Sequence, residues 1–101
     1  MIVLKSTLFN NIPEKKTIKL PRGVKILSFD IQKEVFCIWW LADIYPGYFD
    51  EWEIVAIGTG NNYNENSFNI DHTWEFIGTI LIGGGSLVVH CFAKQVPGRG
   101  D

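Results

Sequence analysis

The feature that most constrains this chain is a series of short runs rich in β-branched and aromatic residues, separated by glycine, proline and asparagine. The runs are TIKL (17–20), VKILSFDIQ (24–32), VFCIWWLAD (35–43), EWEIVAIGTG (51–60), WEFIGTILI (74–82) and SLVVHCF (86–92). None of them keeps a helical period over ten or more residues, and such runs between turn residues are typical of antiparallel strands. The sequence therefore predicts an all-β protein, a small antiparallel β-sandwich or open barrel of about six strands. Its 101 residues predict a single domain over 1–101, with 1–16 and 94–101 at the periphery.

Two of the turns can be interpreted from their residues. The three glycines at 83–85 lead through Ser86 into a strand-like run, whereas a phosphate-binding loop needs Gly-Lys-Ser/Thr opening into a helix. A hairpin turn is therefore expected there, since glycine supplies the positive φ that such turns require. A second hairpin is expected around Lys33-Glu34. In the run before it, alternation places Leu27, Phe29 and Ile31 on one face.

The charges are unevenly distributed along the chain. Residues 1–33 hold seven of the nine Lys and Arg residues but only two of the eleven acidic residues, and the net charge is −2. An anion bound through side-chain charge is expected to meet this first third of the chain. Alternatively, the basic and acidic segments neutralise each other as neighbours in a sheet, which is the interpretation we favour. A duplex nucleic acid is not an expected partner, because non-specific binders are basic overall.

Cysteine and histidine placement argues against a metal site and against an enzyme. Cys37 and Cys91 lie in apolar runs without CxxC spacing, so we expect reduced thiols and no structural metal or cofactor. His90 shares a strand face with Val88 and Phe92, and the sequence has no GxSxG, HExxH or paired-carboxylate motif beside it. An enzyme that uses His90 stays as a minor alternative. No apolar run is long enough to span a membrane, so a soluble, cytoplasmic protein is expected.

The aromatic residues are the richest source of candidate binding groups. Trp39 and Trp40 are adjacent in one strand, so their rings face opposite sides and only one can enter a given core. The other is expected to meet a second sheet, a partner subunit or a ligand. Gly58-Thr59-Gly60 closes a strand, and its backbone N–H groups and the Thr59 hydroxyl are candidates for a small anion or ribose site. A plain strand end is the other interpretation of the two glycines.

Several motifs together resemble a known family. PRGVKILSFDIQ, CIWWLAD, GTG and FIGTILIGGGSLVVHCF occur in the order and spacing of a family of small tailed-phage and prophage proteins, over about residues 17–92. The chain departs from the family pattern at Asn61, where a histidine is expected after Gly-Thr-Gly, and at Trp40, where a small residue is expected. The loop 61–73 is also longer than in the family.

The resemblance implies a binding function. We associate the family with phage proteins that sequester nucleotide signals of bacterial antiphage defence without cleaving them. It implies a homo-oligomer in the cytoplasm of an infected bacterium that binds a cyclic nucleotide or an ADP-ribose-type signal. The residues that would supply stacking, hydroxyl or backbone donors and positive charge are Trp40 or Trp74, Gly58, Thr59, Gly60, His90, and Arg22 or Lys25. The alternative is a protein-interaction module that inhibits a host defence protein through the acidic surface of residues 34–93.

Overall fold

The computed structural model describes residues 1–43, 47–60 and 70–96, and these residues form seven strands. The strands are β1 (Ile2–Thr7), β2 (Glu14–Pro21), β3 (Lys25–Gln32), β4 (Val35–Ala42), β5 (Phe49–Gly58), β6 (Glu75–Ile82) and β7 (Leu87–Gln95). They build two antiparallel sheets, one with the order β1-β4-β3 and one with the order β2-β5-β7-β6. The predicted all-β antiparallel architecture is confirmed, with one strand more than expected.

The additional strand is β1. It belongs to the segment 1–16, expected at the periphery, and pairs with β4 from Ile2↔Ala42 to Thr7↔Cys37 at an edge of the three-stranded sheet. Leu8 and Phe9, which follow it, are buried in the core. At the other end of the chain, β7 continues through Lys94 to Gln95. Residues 61–69 of the loop expected over 61–73 and the tail after Val96 lie outside the described residues, as do residues 44–46.

Both predicted hairpins are present. Lys33 and Glu34 join β3 to β4 with φ of 52° and 67°, the backbone signature of a two-residue type I′ turn. The three glycines 83–85 join β6 to β7 with φ of 61°, 69° and 96°. The turn interpretation of the glycines is therefore confirmed. Ser86 closes this turn, because its hydroxyl donates to the Ile82 carbonyl at 3.2 Å.

One face assignment was wrong. A register shift in the β3–β4 pairing follows Ile26, which lies opposite Trp40, and the next paired residue is Ser28. The extra residue, Leu27, is consequently exposed, while Ile26 packs against the core on the same side as Phe29. A β-bulge inserts one residue and so reverses the alternation on one side of it.

The basic and acidic segments are sheet neighbours. Strand β2 pairs with β5 so that Lys19 lies opposite Glu51. Just beyond the end of β2, Arg22 forms an ion pair with Asp50 at 3.1 Å. This agrees with mutual neutralisation, the interpretation that the sequence favoured.

The core lies between the two sheets. Its buried members come from both, and they are Leu8, Phe9, Leu20, Phe29, Phe36, Ile38, Trp40, Ala42, Ile54, Ala56, Val89, Cys91 and Ala93. Trp40 enters this core, whereas Trp39 is half-buried on the opposite face of β4. Cys37 and Cys91 are buried free thiols, and burial raises the pKa of the Cys91 thiol. Within the described residues, no helix is long and apolar enough to cross a membrane.

Candidate functional site

His90 lies between two threonine hydroxyls on the surface of the four-stranded sheet that faces away from the core, here called the outer face. It pairs with Ile57 of β5 on one side and with Thr79 of β6 on the other. Its Nε2 atom is 2.8 Å from the Thr59 hydroxyl oxygen, and its Nδ1 atom is 3.0 Å from the Thr79 hydroxyl oxygen. We call Thr59, Thr79 and His90 the threonine–histidine cluster.

The cluster fixes the imidazole ring at both of its nitrogens. In a neutral imidazole one nitrogen donates and the other accepts, and a threonine hydroxyl can take either role, so both tautomers fit. Each hydroxyl uses one of its three hydrogen-bonding positions on His90 and keeps capacity for a further partner. Because each ring nitrogen makes one hydrogen bond, a carboxylate could reach His90 only by displacing a threonine.

The turn after β5 positions Thr59. The Thr59 N–H donates to the Val88 carbonyl at 2.9 Å, which ties the end of β5 to β7. Gly60 then adopts a φ of 95°, a left-handed conformation in which a side chain is disfavoured. The Thr59 backbone amide is therefore engaged within the fold, and the hydroxyl is the group that Thr59 contributes to the surface.

Aromatic side chains continue the outer face away from His90. Phe92, two residues further along β7, contacts Phe76 of β6 in an edge-to-face arrangement, with ring centroids 5.6 Å apart and an interplanar angle of 62°. Phe76 is 56% exposed. Beyond this pair, the Lys94 ammonium lies 5.9 Å from the centre of the Trp74 ring. Trp74, Phe76 and Phe92 form what we call the aromatic row.

A short hydrogen-bonded turn precedes Trp74. The Asp71 carboxylate accepts from the Thr73 hydroxyl at 2.6 Å and from the Thr73 backbone N–H at 2.8 Å. The Trp74 N–H donates to the Asp71 carbonyl at 3.2 Å. The hydrogen bond from the Thr73 hydroxyl, followed by that from its N–H, lowers the pKa of Asp71. This turn sets the position from which the Trp74 ring meets Lys94.

Two apolar residues of β5 underlie this surface. Val55 and Ile57 pair with Phe92 and His90, so they share the outer face, yet both are fully buried. In the neighbouring strand β2, Lys15 lies opposite Val55. A hydrogen bond next to these buried apolar side chains is less exposed to competing water than one on an open surface. We call the threonine–histidine cluster, the aromatic row and Lys94 together the outer-face site.

The structure brings together five of the eight residues expected from the sequence. Thr59 and His90 are in contact, Gly58 and Gly60 flank Thr59, and Trp74 lies on the same face, about 13 Å from His90 along the strand direction. The other three lie elsewhere, and they are Arg22, Lys25 and Trp40.

Each of those three has a different environment. The Arg22 side chain contacts Asp50 and lies 5.2 Å from the centre of the Tyr48 ring. Lys25 is exposed at the start of β3 in the other sheet. Trp40 is 8% exposed in the core, where its Nε1–H donates to the Ser6 hydroxyl at 2.9 Å. None of the three is part of the outer-face site.

Four residues of the site were missed by the sequence reasoning. For Thr79 a signal existed, because counting outward from the pair Ile82↔Leu87 at the glycine turn places Thr79 opposite His90. Phe92 had already been assigned to the face of His90. Phe76 carried no such signal, since a bulge between Phe76 and Gly78 changes the count beyond that point. Lys94 lies beyond the apolar run that predicted the strand, which ended at residue 92.

A metal is not indicated at the site. Among the described residues, no group of three or more His, Cys, Asp or Glu side chains is arranged to hold an ion. Hydroxyls, one imidazole and aromatic rings are instead the groups that bind organic ligands through hydrogen bonds and stacking.

The sequence matches one family model over residues 2–100, that of a domain of unknown function, DUF7352. The chain belongs to the DUF7352 family. A comparison with curated proteins found no match, and a comparison with solved structures found none either.

Proposed function

We propose that this DUF7352 domain binds a small nucleotide-type ligand at the outer-face site and holds it without chemical conversion. In keeping with the phage proteins that it resembles, the ligand would be a cyclic nucleotide or ADP-ribose-type signal of bacterial defence, and binding would sequester it. The observation that carries the proposal is the presence, on one face, of an aromatic row with an exposed Phe76, two hydroxyls held by an imidazole, and an ammonium group.

Each of these groups matches one part of a nucleotide. A base stacks on aromatic faces at about 1–3 kcal/mol per base, and Phe76 and Trp74 offer rings for that contact. The spare capacity of the Thr59 and Thr79 hydroxyls suits ribose or base edges. Lys94, and Lys15 from the basic first third of the chain, supply positive charge for phosphate.

The same geometry supports binding over catalysis. A catalytic histidine activates a nucleophile or transfers a proton, and it is normally oriented by a carboxylate that also stabilises the imidazolium. Here the second nitrogen of His90 meets the neutral hydroxyl of Thr79 at 3.0 Å. The His90 ring therefore serves to orient two hydroxyls toward a ligand, which needs no proton transfer.

The acidic-surface alternative has less support. Glu51 lies opposite Lys19, and Glu53 pairs with Lys94 on its other side. Both glutamates are half-buried, and the lysines opposite them offset part of the negative charge of this surface. A host protein that recognised this surface would be expected to lose binding when Glu51 and Glu53 are both changed to Lys, a substitution that leaves the outer-face hydroxyls in place.

The deciding experiment is thermal unfolding in the presence of cyclic dinucleotides, cyclic trinucleotides and ADP-ribose isomers. A ligand at a hundredfold excess over its Kd raises the midpoint of a domain of this size by roughly 10–20 °C. The active compound should be recovered unchanged after heat denaturation of the complex. Recovery of a chemically converted product would show that the protein is an enzyme and does not merely sequester the ligand. If no compound raises the midpoint, these ligand classes are excluded.

A matched pair of variants locates the site. Phe76→Ala removes a ring of the aromatic row and should abolish most of the ligand-induced shift. Phe49→Ala is the control, because Phe49 has the same 56% exposure but lies eight residues from Ile57 along β5, about 26 Å from the cluster. If both variants keep the shift, the ligand binds elsewhere on the protein.

A further inference from the structure

The edge strands of the two sheets differ in how they are protected against pairing with another strand. Within the described residues the edges are β1 and β3 in one sheet and β2 and β6 in the other. An edge is commonly blocked by lysines or by a β-bulge. Strand β2 carries Lys15, Lys16 and Lys19, and both β3 and β6 contain a register shift.

Strand β1 has the opposite properties. Its pairing with β4 runs in regular register over all six residues, and it carries one charged residue, Lys5. Its apolar residues are unusually exposed, 54% for Val3 and 45% for Leu4. Leu4 points to the core side of its sheet, so its exposure means that the second sheet does not cover this edge.

The backbone groups that β1 directs outward follow from its pairing. Leu8 continues the register, and its N–H donates to the Phe36 carbonyl at 2.8 Å. Because hydrogen-bonded residues alternate along an antiparallel strand, Ser6, Leu4 and Ile2 bond to β4. The N–H and C=O groups of Val3, Lys5 and Thr7 therefore point away from β4 at the open edge.

We propose that β1 pairs antiparallel with β1 of a second copy of this chain, which joins two three-stranded sheets into one six-stranded sheet. The pairing is symmetric about a twofold axis, with Leu4 opposite Leu4 of the second copy and Val3 opposite Lys5. The outward groups of Val3 and Lys5 then bond to each other. This inference rests on the β1 edge, in the other sheet from the outer-face site, and is independent of the ligand.

Two alternative registers are less favourable. Centring the axis on Lys5 places two like charges directly opposite each other, which destabilises a cross-strand pair. Centring it on Val3 shortens the paired segment, places Lys5 opposite the chain end at Met1 and leaves the outward backbone groups of Thr7 without a partner. The Leu4 register covers the exposed leucines with each other, gives the longer paired segment than the Val3 register and avoids the like-charge pair of the Lys5 register, so paired length and charge select it.

A disulfide test reads the register directly. Across a non-hydrogen-bonded pair, Cβ atoms lie about 4.5–5.5 Å apart, close enough for a disulfide after a small adjustment. Leu4→Cys should therefore give a covalent dimer under mild oxidation, while Lys5→Cys should give little. Native Cys37 and Cys91 are buried and give a low background. Efficient linkage through Lys5→Cys with none through Leu4→Cys would overturn the proposed register.

The mass of the protein in solution tests the interface itself. Sedimentation of the unmodified chain should show a concentration-dependent dimer. Val3→Pro removes an outward N–H and spares the β4 ladder, and loss of two bonds per dimer at about fivefold each predicts roughly 25-fold weaker association. Val3→Thr keeps the N–H and is the matched control. A monomer at all concentrations, or equal dimerisation of Val3→Pro and Val3→Thr, would overturn the proposal.

Discussion

The Oγ1 atom of Thr59 and the Nε2 atom of His90 lie 2.8 Å apart, although 31 positions separate the two residues in the chain. The contact joins the turn that ends β5 to the middle of β7, next to the backbone bond from Thr59 to Val88. It turns a surface histidine into a fixed element of the sheet.

Thr59→Val keeps the shape of the side chain and removes the hydroxyl. Because the contact is partly exposed, we expect the free energy of unfolding to fall by about 0.5–1.5 kcal/mol, together with a reduced thermal shift from any ligand of the outer-face site. Chemical denaturation and ligand titration measure the two effects. Thr17→Val, an exposed threonine opposite Glu53 on the same face, should change stability by less than about 0.5 kcal/mol. Equal losses in both variants would contradict a specific role of the Thr59 hydroxyl.

Ser6→Ala tests the role of Trp40 as a core residue. The substitution takes away the acceptor of the Trp40 indole N–H, which is held at 2.9 Å. A buried donor left without an acceptor costs about 1–3 kcal/mol, so a clear drop in the free energy of unfolding is expected. Ligand affinity per folded molecule should stay unchanged. A loss of affinity without a loss of stability would instead return Trp40 to the binding site.

The local turn chemistry of this fold could be predicted from the sequence. The glycines 83–85 and the residues Lys33-Glu34 each join two strand-like runs, and each forms the expected hairpin turn. Counting outward along β6 and β7 from the glycine turn places Thr79 beside His90. Contacts within a hairpin form between residues that lie within about ten positions of the turn. The pairing of Thr79 with His90 at the centre of the site could therefore be predicted from the sequence.

The remaining features depend on distant parts of the chain. Strand β1 owes its conformation to pairing with β4, whose partner residues lie 30 to 40 positions further along the chain, and its own six residues alternate weakly. The bulge at Leu27 reverses which side chains of β3 face the core on one side of it, and simple alternation in the sequence does not predict this. Lys94 lies in the site because β7 continues beyond the apolar run that predicted it. Arg22 lies elsewhere, where it forms an ion pair with Asp50.

Glu34→Gly should stabilise the protein. Glu34 has a φ of 67°, a left-handed conformation that costs a residue with a Cβ about 1 kcal/mol or more and that glycine adopts freely. Allowing for the larger entropy of an unfolded glycine, the expected gain is about 0.5–1 kcal/mol, or a rise in Tm of several degrees. Glu34→Ala keeps the Cβ and should give no gain. If the alanine variant gains as much as the glycine variant, removal of the carboxylate is responsible and backbone strain is not.

The hydrogen-bonded turn between Asp71 and Trp74 should loosen at acid pH. The hydrogen bonds from Thr73 lower the pKa of Asp71 from the ordinary value of 3.8, so the folded state favours the charged carboxylate. The stabilisation is therefore fully present above the pKa of the unfolded chain and is lost as the pH falls through the lower pKa of the folded state. The Thr73 amide resonance in NMR spectra should shift as the carboxylate is protonated, with a midpoint below the ordinary value of 3.8. In Asp71→Asn the same resonance should be independent of pH over this range. A Thr73 shift centred clearly above 3.8 in the unmodified protein would contradict the direction of the pKa change and the role of this turn in holding Trp74.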